Sequence, residues 1–335
     1  MEVNQKDKDS EIKPIKKIES EKEIFSLCKI DNNSKIVIGM SNDTIAIYSS
    51  DLSSKIVEIN NQPSFYISEL SDKTNRGGIK LLCCSYSYQF KILELIFNFK
   101  NKFAYNILYT IEPNESRNEI NKAIELKNED KNIVSIDENN IIVYKLLGGI
   151  NYTEIKKISE EGATDILNIN NNLFCVSFKN KGTIQFYDNK TFNLIKQVKN
   201  IESYGCNNYI CKLNNDILFI GGFEYISLID IELKQLNNKI ELIKNKERIT
   251  CTYPVIEKGI LIAGTKYKFR KENDDEFLFD IIIYKLNIDM ILTEIKRFPK
   301  AHDKIINSIV EINGYIISCS DDKKIKQWYI NDLIN

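Results

Sequence analysis

Ala301-His302-Asp303-Lys304-Ile305-Ile306-Asn307-Ser308-Ile309 is followed, after a short gap, by Ile317-Ser318-Cys319-Ser320-Asp321-Asp322-Lys323-Lys324-Ile325-Lys326-Gln327-Trp328. The stretch reads as three short strands, near 305–312, 315–319 and 323–330. β-Branched residues recur through it, and Asn, Gly, Asp and Lys clusters punctuate it. Three strands are read here, and a fourth is expected to be missing from this last unit.

The rest of the chain repeats this texture. Thr44-Ile45-Ala46-Ile47-Tyr48, Ile141-Ile142-Val143-Tyr144, Thr183-Ile184-Gln185-Phe186-Tyr187 and Ile281-Ile282-Ile283-Tyr284 are short Ile-, Phe- and Tyr-rich runs. Alternation at period two predicts strands, and no long stretch carries helical spacing with caps. The fold class is all-β.

The runs are periodic. Aligning an Ile or Phe with a large apolar residue three positions later sets the second member at Tyr48, Leu93, Tyr144, Tyr187, Ile229, Tyr284 and Trp328. Successive spacings are 45, 51, 43, 42, 55 and 44 residues. A period of about 40 to 45 residues is that of four-stranded propeller blades. Polar insertions at 71–78 and 112–119 near the second blade, and at 266–277 in the sixth, account for the long intervals. Leu27-Cys28-Lys29-Ile30 recurs as Ile210-Cys211-Lys212-Leu213 in first strands. Ile155-Lys156-Lys157-Ile158 and Ile295-Lys296-Arg297-Phe298 match in fourth strands, and Ile15-Lys16-Lys17-Ile18 is a third copy upstream of the first blade.

The orphan N-terminal strand and the incomplete last blade complement each other. An open edge is a liability that closing the ring removes. The expectation is a single seven-bladed β-propeller of four-stranded antiparallel blades, with residues 12–18 as the outermost strand of the last blade. Pro14 is tolerated at such an edge. The blades run approximately over 24–59, 64–111, 120–158, 163–198, 206–243, 249–298 and 304–330 plus 12–18, giving a propeller domain of 11–335. Residues 1–10, charged and almost without apolar groups, are expected to be a disordered tail.

The segment from Ala301 to Trp328 resembles a blade of the WD-repeat family. The resemblance implies that His302, Ser318, Asp322 and Trp328 form that family's hydrogen-bonded structural tetrad. The other six blades are degenerate. Tyr48, Tyr144, Tyr187 and Tyr284 replace the Trp, none has the His, and Tyr329 replaces the Asp of the Trp-Asp pair that Asp188 and Asp230 retain. An imidazole held between a carboxylate and a hydroxyl, with that hydroxyl on an indole N–H, satisfies buried polar groups. His302 is therefore read as structural.

Composition bounds the chemistry. The chain has 335 residues and a formal net charge of −1, which argues against a nucleic-acid or acidic-membrane binder. Cytoplasmic localisation is expected, since no signal peptide and no spanning apolar run is present. None of the eight Cys forms a C-x-x-C, so they are read as small buried hydrophobes, with no metal site and no cofactor. His302 is the single histidine, so two- or three-His zinc sites are impossible and any His-based nucleophilic machinery must use it. Gly259 to Lys266 has the wrong order and an apolar interior for a phosphate loop. Glu272-Asn273-Asp274-Asp275-Glu276 lacks the alternating ligands of a calcium loop and reads as a solvated loop tip.

In the WD-repeat resemblance, turns between second and third strands and blade junctions crowd one face around the channel. That face would carry Asn42, Tyr86, Tyr88, Glu138, Lys181, Phe223 and the 266–277 insertion, with Arg117, Tyr204, Arg248 and His302 at junctions. Tyr86, Tyr88, Arg117, Tyr204, Phe223, Arg248, Lys266, Lys268, Phe269 and Arg270 are the candidate partner-binding residues, because aromatic and Arg side chains dominate binding energy. The resemblance implies a non-enzymatic scaffold or adaptor for protein or peptide partners, as a subunit of a larger complex, with no small-molecule substrate. Two alternatives are a propeller hydrolase or lyase with carboxylates at the channel mouth, and a phosphoinositide-binding propeller. The second draws on Phe269-Arg270-Lys271-Glu272, which resembles a Phe-Arg-Arg-Gly motif, although the neighbouring acids would repel anionic lipid.

Overall fold

The computed structural model describes residues 13–74, 77–85, 89–97, 103–111, 120–147, 151–179, 182–199, 209–222, 226–231, 240–242, 247–271, 274–287, 289 and 291–330, with the side chains of 240–242, 269–271 and 274–275 excepted. The disordered tail expected over residues 1–10 lies outside the described residues. The first blade is built from β2 (Ile24–Ile30), β3 (Lys35–Met40), β4 (Thr44–Ser49) and β5 (Lys55–Ile59). The second has β6 (Tyr66–Glu69), β7 (Ile79–Cys84), β8 (Phe90–Phe97) and β9 (Phe103–Ile111). Next come β10 (Lys122–Glu125), β11 (Ile133–Ile136), β12 (Asn140–Leu147) and β13 (Asn151–Ser159). The fourth contains β14 (Ala163–Asn168), β15 (Leu173–Phe178), β16 (Thr183–Asp188) and β17 (Leu194–Val198). The fifth contains β18 (Tyr209–Lys212), β19 (Ile217–Gly221), β20 (Ile226–Asp230) and β21 (Ile240–Leu242). The sixth has β22 (Arg248–Val255), β23 (Ile260–Lys271), β24 (Asp274–Leu286) and β25 (Leu292–His302).

The seventh sheet is composite. β26 (Ile306–Ile312), β27 (Tyr315–Ser320) and β28 (Lys324–Tyr329) are completed by β1 (Lys16–Glu19), antiparallel to β28 with Lys16 opposite Gln327 and Glu19 opposite Lys324. The Ile15 and Ser20 N–H groups donate to the Gln327 and Lys323 carbonyls at 2.8 Å, extending the ladder at both ends. The chain thus forms a seven-bladed all-β ring of four-stranded antiparallel sheets.

First strands touch first strands around the whole circle: β2 with β6, then β10, β14, β18, β22, β26 and back to β2. Side chains cross these seams. Thr250 Oγ1 donates to the Ile306 carbonyl at 2.8 Å, and Asn307 Nδ2 to the Ile24 carbonyl at 2.8 Å. The hydrophobic core is correspondingly divided into seven slabs, one per blade junction. Ile30, Val37 and Ile45 of the first blade pack on Ile67, Ile79 and Leu81 of the second. Ile36, Ile38 and Ala46 pack on Ile317, Cys319 and Ile325 of the seventh. A sheet buried on both faces must be apolar on both, which is why second and third strands read as near-continuous Ile, Val and Phe runs.

Two local devices recur. The aligned residues Tyr48, Leu93, Tyr144, Tyr187 and Tyr284 each follow a register shift against the fourth strand, so the outer strand bends at the same height in five blades. On the second strand, three residues beyond the partner of each aligned position, stand Gly39, Cys84, Ser177, Gly221, Gly264 and Cys319, with Ile136 in the third blade. Small residues suit this place because another segment passes against it. A Cβ on Gly39 would lie 1.9 Å from the Ser64 carbonyl oxygen, and one on Gly264 would lie 2.7 Å from Cys251 Sγ.

Candidate functional site

At the junction of the sixth and seventh blades, β25 delivers His302 and the seventh blade supplies its partners. His302 ends a strand, where the sequence reading set it in a loop. Its Nδ1 lies 2.9 Å from Asp322 Oδ2 and its Nε2 lies 2.8 Å from Ser318 Oγ. Trp328 Nε1 donates to the same Oγ at 3.0 Å. Asp322 Oδ2 also accepts the Asp303 N–H at 3.1 Å, and Oδ1 accepts the Lys324 N–H at 3.0 Å.

A neutral imidazole satisfies every member of this chain. Nδ1–H donates to the carboxylate, Nε2 accepts the Ser318 hydroxyl, and that hydroxyl oxygen accepts from the indole. Burial pushes the His302 pKa below its ordinary value, against the pull of Asp322. Burial pushes the Asp322 carboxyl up, yet its hydrogen bonds outweigh this and hold it at about 2. With His302 and Ser318 both buried, the four side chains form a bolt between strands. Beside it Lys326 Nζ donates to the Ala301 carbonyl at 2.5 Å, and burial lowers its pKa.

Residues 272–273 of the expected solvated tip lie outside the described residues. The rest of the 266–277 insertion is expected from sequence to be a loop. Instead β23 and β24 continue as a paired ribbon, with Tyr267 opposite Leu278, Lys268 opposite Phe277, Phe269 opposite Glu276, Arg270 opposite Asp275 and Lys271 opposite Asp274. Its base is gripped on one side by Arg248 of β22, opposite Lys266, and on the other by His302 of β25, opposite Phe279. Between those anchors and the turn the ribbon is two-stranded. Lys266 Nζ sits 4.2 Å from the centroid of the Phe277 ring, which is 47 % exposed, and Lys268 is exposed. Lys300 Nζ reaches Glu276 at 3.8 Å.

In register, Phe269 stands opposite Glu276 and Arg270 opposite Asp275, so the strand that carries the phosphoinositide-like motif is paired with an acidic one. At the ribbon's foot, Arg297 is wrapped by carboxylates: Glu247 at 2.7 Å, Asp280 at 3.0 Å and Glu294 at 2.8 Å. The buried Asp280 also accepts the Lys300 N–H at 2.9 Å. Glu247 Oε2 and Arg248 Nε are buried with no hydrogen-bond partner among the described residues.

Tyr86, Tyr88, Arg117, Tyr204, Phe223 and Lys181 lie outside the described residues, as do the side chains of Phe269 and Arg270. Asn42 sits in the turn after β3 at φ 61°, and Glu138 is in the turn after β11, 3.5 Å from Lys179 Nζ. Arg248, Lys266 and Lys268 are therefore the candidates that the structure brings to one place, the foot of the ribbon.

Sequence reading missed a polar seam on the innermost strands. Lys122 Nζ lies 2.6 Å from Asp165 Oδ1 and 5.2 Å from the Tyr66 ring centroid. Asp165 Oδ2 accepts the Ile210 N–H at 2.8 Å, so one carboxylate ties the third, fourth and fifth blades. Burial pushes the Lys122 ammonium down, and Asp165 outweighs it, leaving its pKa above the usual lysine range. Burial raises the Tyr66 and Tyr209 phenols. The signal was present: Lys122, Asp165 and Tyr209 stand 43 and 44 residues apart, one blade period each. Among the described residues no group of three or more His, Cys, Asp or Glu side chains could hold a metal ion.

No protein-family model matches this sequence. No curated protein matches it either. The fold is similar to that of a chain in the crystal structure of the mitotic checkpoint complex, with a TM-score of 0.65 over 98 % of this chain and 99 % of that one, at 10 % sequence identity.

Proposed function

We propose that the chain is a non-enzymatic, WD-repeat-like platform that holds a protein or peptide partner against the face from which the β23–β24 ribbon projects. The observation that carries the reading is the ribbon itself. Five further residue pairs continue the sixth blade past Arg248 on its inner neighbour, presenting an exposed Phe277 under a lysine. A ribbon anchored in a buried sheet loses little ordering entropy on binding, and an aromatic with an adjacent cation is a common anchor. The likeness to a chain of a protein complex supports a scaffold role by fold alone. Subunit membership in a larger assembly and a cytoplasmic setting belong to the same proposal.

The test is to replace residues 267–278 by an Asn-Gly turn, which suits a tight hairpin. Affinity capture from cell extract should recover a defined set of proteins with the intact chain and lose it with the shortened one, while Trp328 fluorescence gives the same melting midpoint for both. Recovery of the same proteins by both chains overturns the reading.

A further inference from the structure

The outermost strands form the rim of the wheel, and each offers one edge whose N–H and C=O groups no strand of its own sheet takes up among the described residues. Such an edge is a template for pairing with another chain, and charged side chains on it are the usual deterrent. Six of the seven rim strands carry one or more: Lys16, Lys17 and Glu19 in β1, Lys55 and Glu58 in β5, Glu154, Lys156 and Lys157 in β13, Lys196 in β17, Glu241 in β21, and Glu294, Lys296, Arg297 and Lys300 in β25. β9 has none. Phe103-Ala104-Tyr105-Asn106-Ile107-Leu108-Tyr109-Thr110-Ile111 is a nine-residue rim strand without a charge, and Tyr105 and Ile107 are 40 % and 48 % exposed.

The register divides the strand. Phe103, Tyr105 and Ile107 pair with Phe97, Leu95 and Leu93, and share their face. The shift at Leu108 then turns Tyr109 and Ile111 to the other face, opposite Ile92 and Phe90. The regular, flat part of the edge is therefore Phe103–Ile107, with Tyr105 at its centre.

We propose that this edge is a self-association site, at which a second copy of the chain pairs antiparallel through Phe103–Ile107 about a two-fold axis at Tyr105. A second copy fits this edge without burying a charge. Under that operation Phe103 of one copy faces Ile107 of the other, Tyr105 faces Tyr105, and Ala104 faces Asn106. These are aromatic–aromatic and aromatic–β-branched cross-strand pairs, and no charge is opposed by a like charge or stripped of water. On the other six rim strands a closely paired copy must desolvate at least one lysine, arginine or glutamate. The bulge at Leu108 ends the pairing and keeps it short. A five-residue strand pair buries well below the roughly 1,200 Å² of a standard stable interface, so the dimer is reversible and concentration-dependent.

Sedimentation equilibrium of the full chain, from micromolar to submillimolar concentration, tests this. The wild type is expected to move from monomer to dimer, and Tyr105→Lys and Ile107→Lys each to remain monomeric throughout. Ile195→Lys, at a 53 % exposed position on β17, adds the same charge to a different rim strand and should dimerise as the wild type does. Matching Trp328 unfolding midpoints establish that the variants are folded. Amide hydrogen exchange of the wild type should slow with concentration in β9 and in no other rim strand, a readout that survives if a variant fails to fold. A monomer at every concentration overturns the proposal. A dimer that persists in Ile107→Lys overturns it equally.

Discussion

Protonating His302 would put a second donor on Ser318 Oγ, which already accepts from the Trp328 indole, and would strand the serine's own proton. The folded state therefore prefers the neutral ring, whereas the unfolded chain titrates near 6.5. The sign follows: stability is complete above pH 6.5 and declines as pH falls below it, because only the unfolded state takes up the proton freely, with a slope of at most about 1.4 kcal/mol per pH unit. Asp322 adds a second, more acidic loss, beginning near pH 4 and running toward its folded value of about 2. Denaturant unfolding followed at Trp328, the one tryptophan, at pH 7.5 and 5.5 should show the decline, and His302→Gln should remove the part that begins at 6.5. His302→Ala should cost about 1–3 kcal/mol at pH 7.5 by leaving Asp322 and Ser318 short of partners. Unchanged stability together with loss of partner binding would move His302 from the scaffold to the interface. These four residues were legible because their spacing matches one blade motif. Lys326 and Asp165 were not, because a charged residue in a strand reads as solvent-facing until its neighbour is known.

Small residues let elements approach closely, and two glycines make the contrast. At Gly39 the added methyl of Gly39→Ala would meet the Ser64 carbonyl oxygen at 1.9 Å, so the backbone entering the second blade must move. Gly77, at φ +74°, has nothing within 4 Å of its missing Cβ. Gly39→Ala should cost about 3 kcal/mol through overpacking, and Gly77→Ala about 1 kcal/mol through backbone strain alone. Equal denaturant midpoints for the two would refute the close-approach reading. The innermost strands are tied differently. Asp165→Ala removes the Lys122 partner and the acceptor for Ile166 and Ile210, and should cost about 2–4 kcal/mol, less than a fully buried pair because Lys122 keeps 21 % exposure. A loss under 1 kcal/mol, measured by denaturant unfolding, would show the seam to be ornamental to stability. Strand positions were readable from alternation, and the ribbon shows where that reading weakens. Lys266-Tyr267-Lys268-Phe269-Arg270 alternates faithfully, but its charges read as loop because the acidic strand opposite them in register comes later in the chain.

A wheel has no centre to collapse around, so its stability is the sum of seven similar slabs and depends on the seam that makes them a circle. That seam was visible in sequence as a deficit: three strands at one end, a spare at the other, and a repeated Ile-Lys-Lys-Ile to match them. The face that meets a partner was less visible, since turn residues are constrained neither by alternation nor by burial, and their arrangement follows from blade geometry instead. Closure has a topological consequence. Because β1 runs antiparallel to β28 and the Ile15 N–H meets the Gln327 carbonyl at 2.8 Å, the end of one strand lies within a tight turn of the start of the other. A permuted chain that begins at Ser20, runs to Ile330, and continues through a short turn into Ile15–Glu19 converts the seam to an ordinary hairpin. It should unfold in one cooperative transition with a midpoint within a few degrees of the parent, since every strand pair is kept and only the order of synthesis changes. The same chain ending at Ile330, without the appended strand, should lose about 2–4 kcal/mol, the worth of the four β1–β28 pairs and the half-buried Ile18. If the two permuted chains melt together, the ring is closed by something other than this strand.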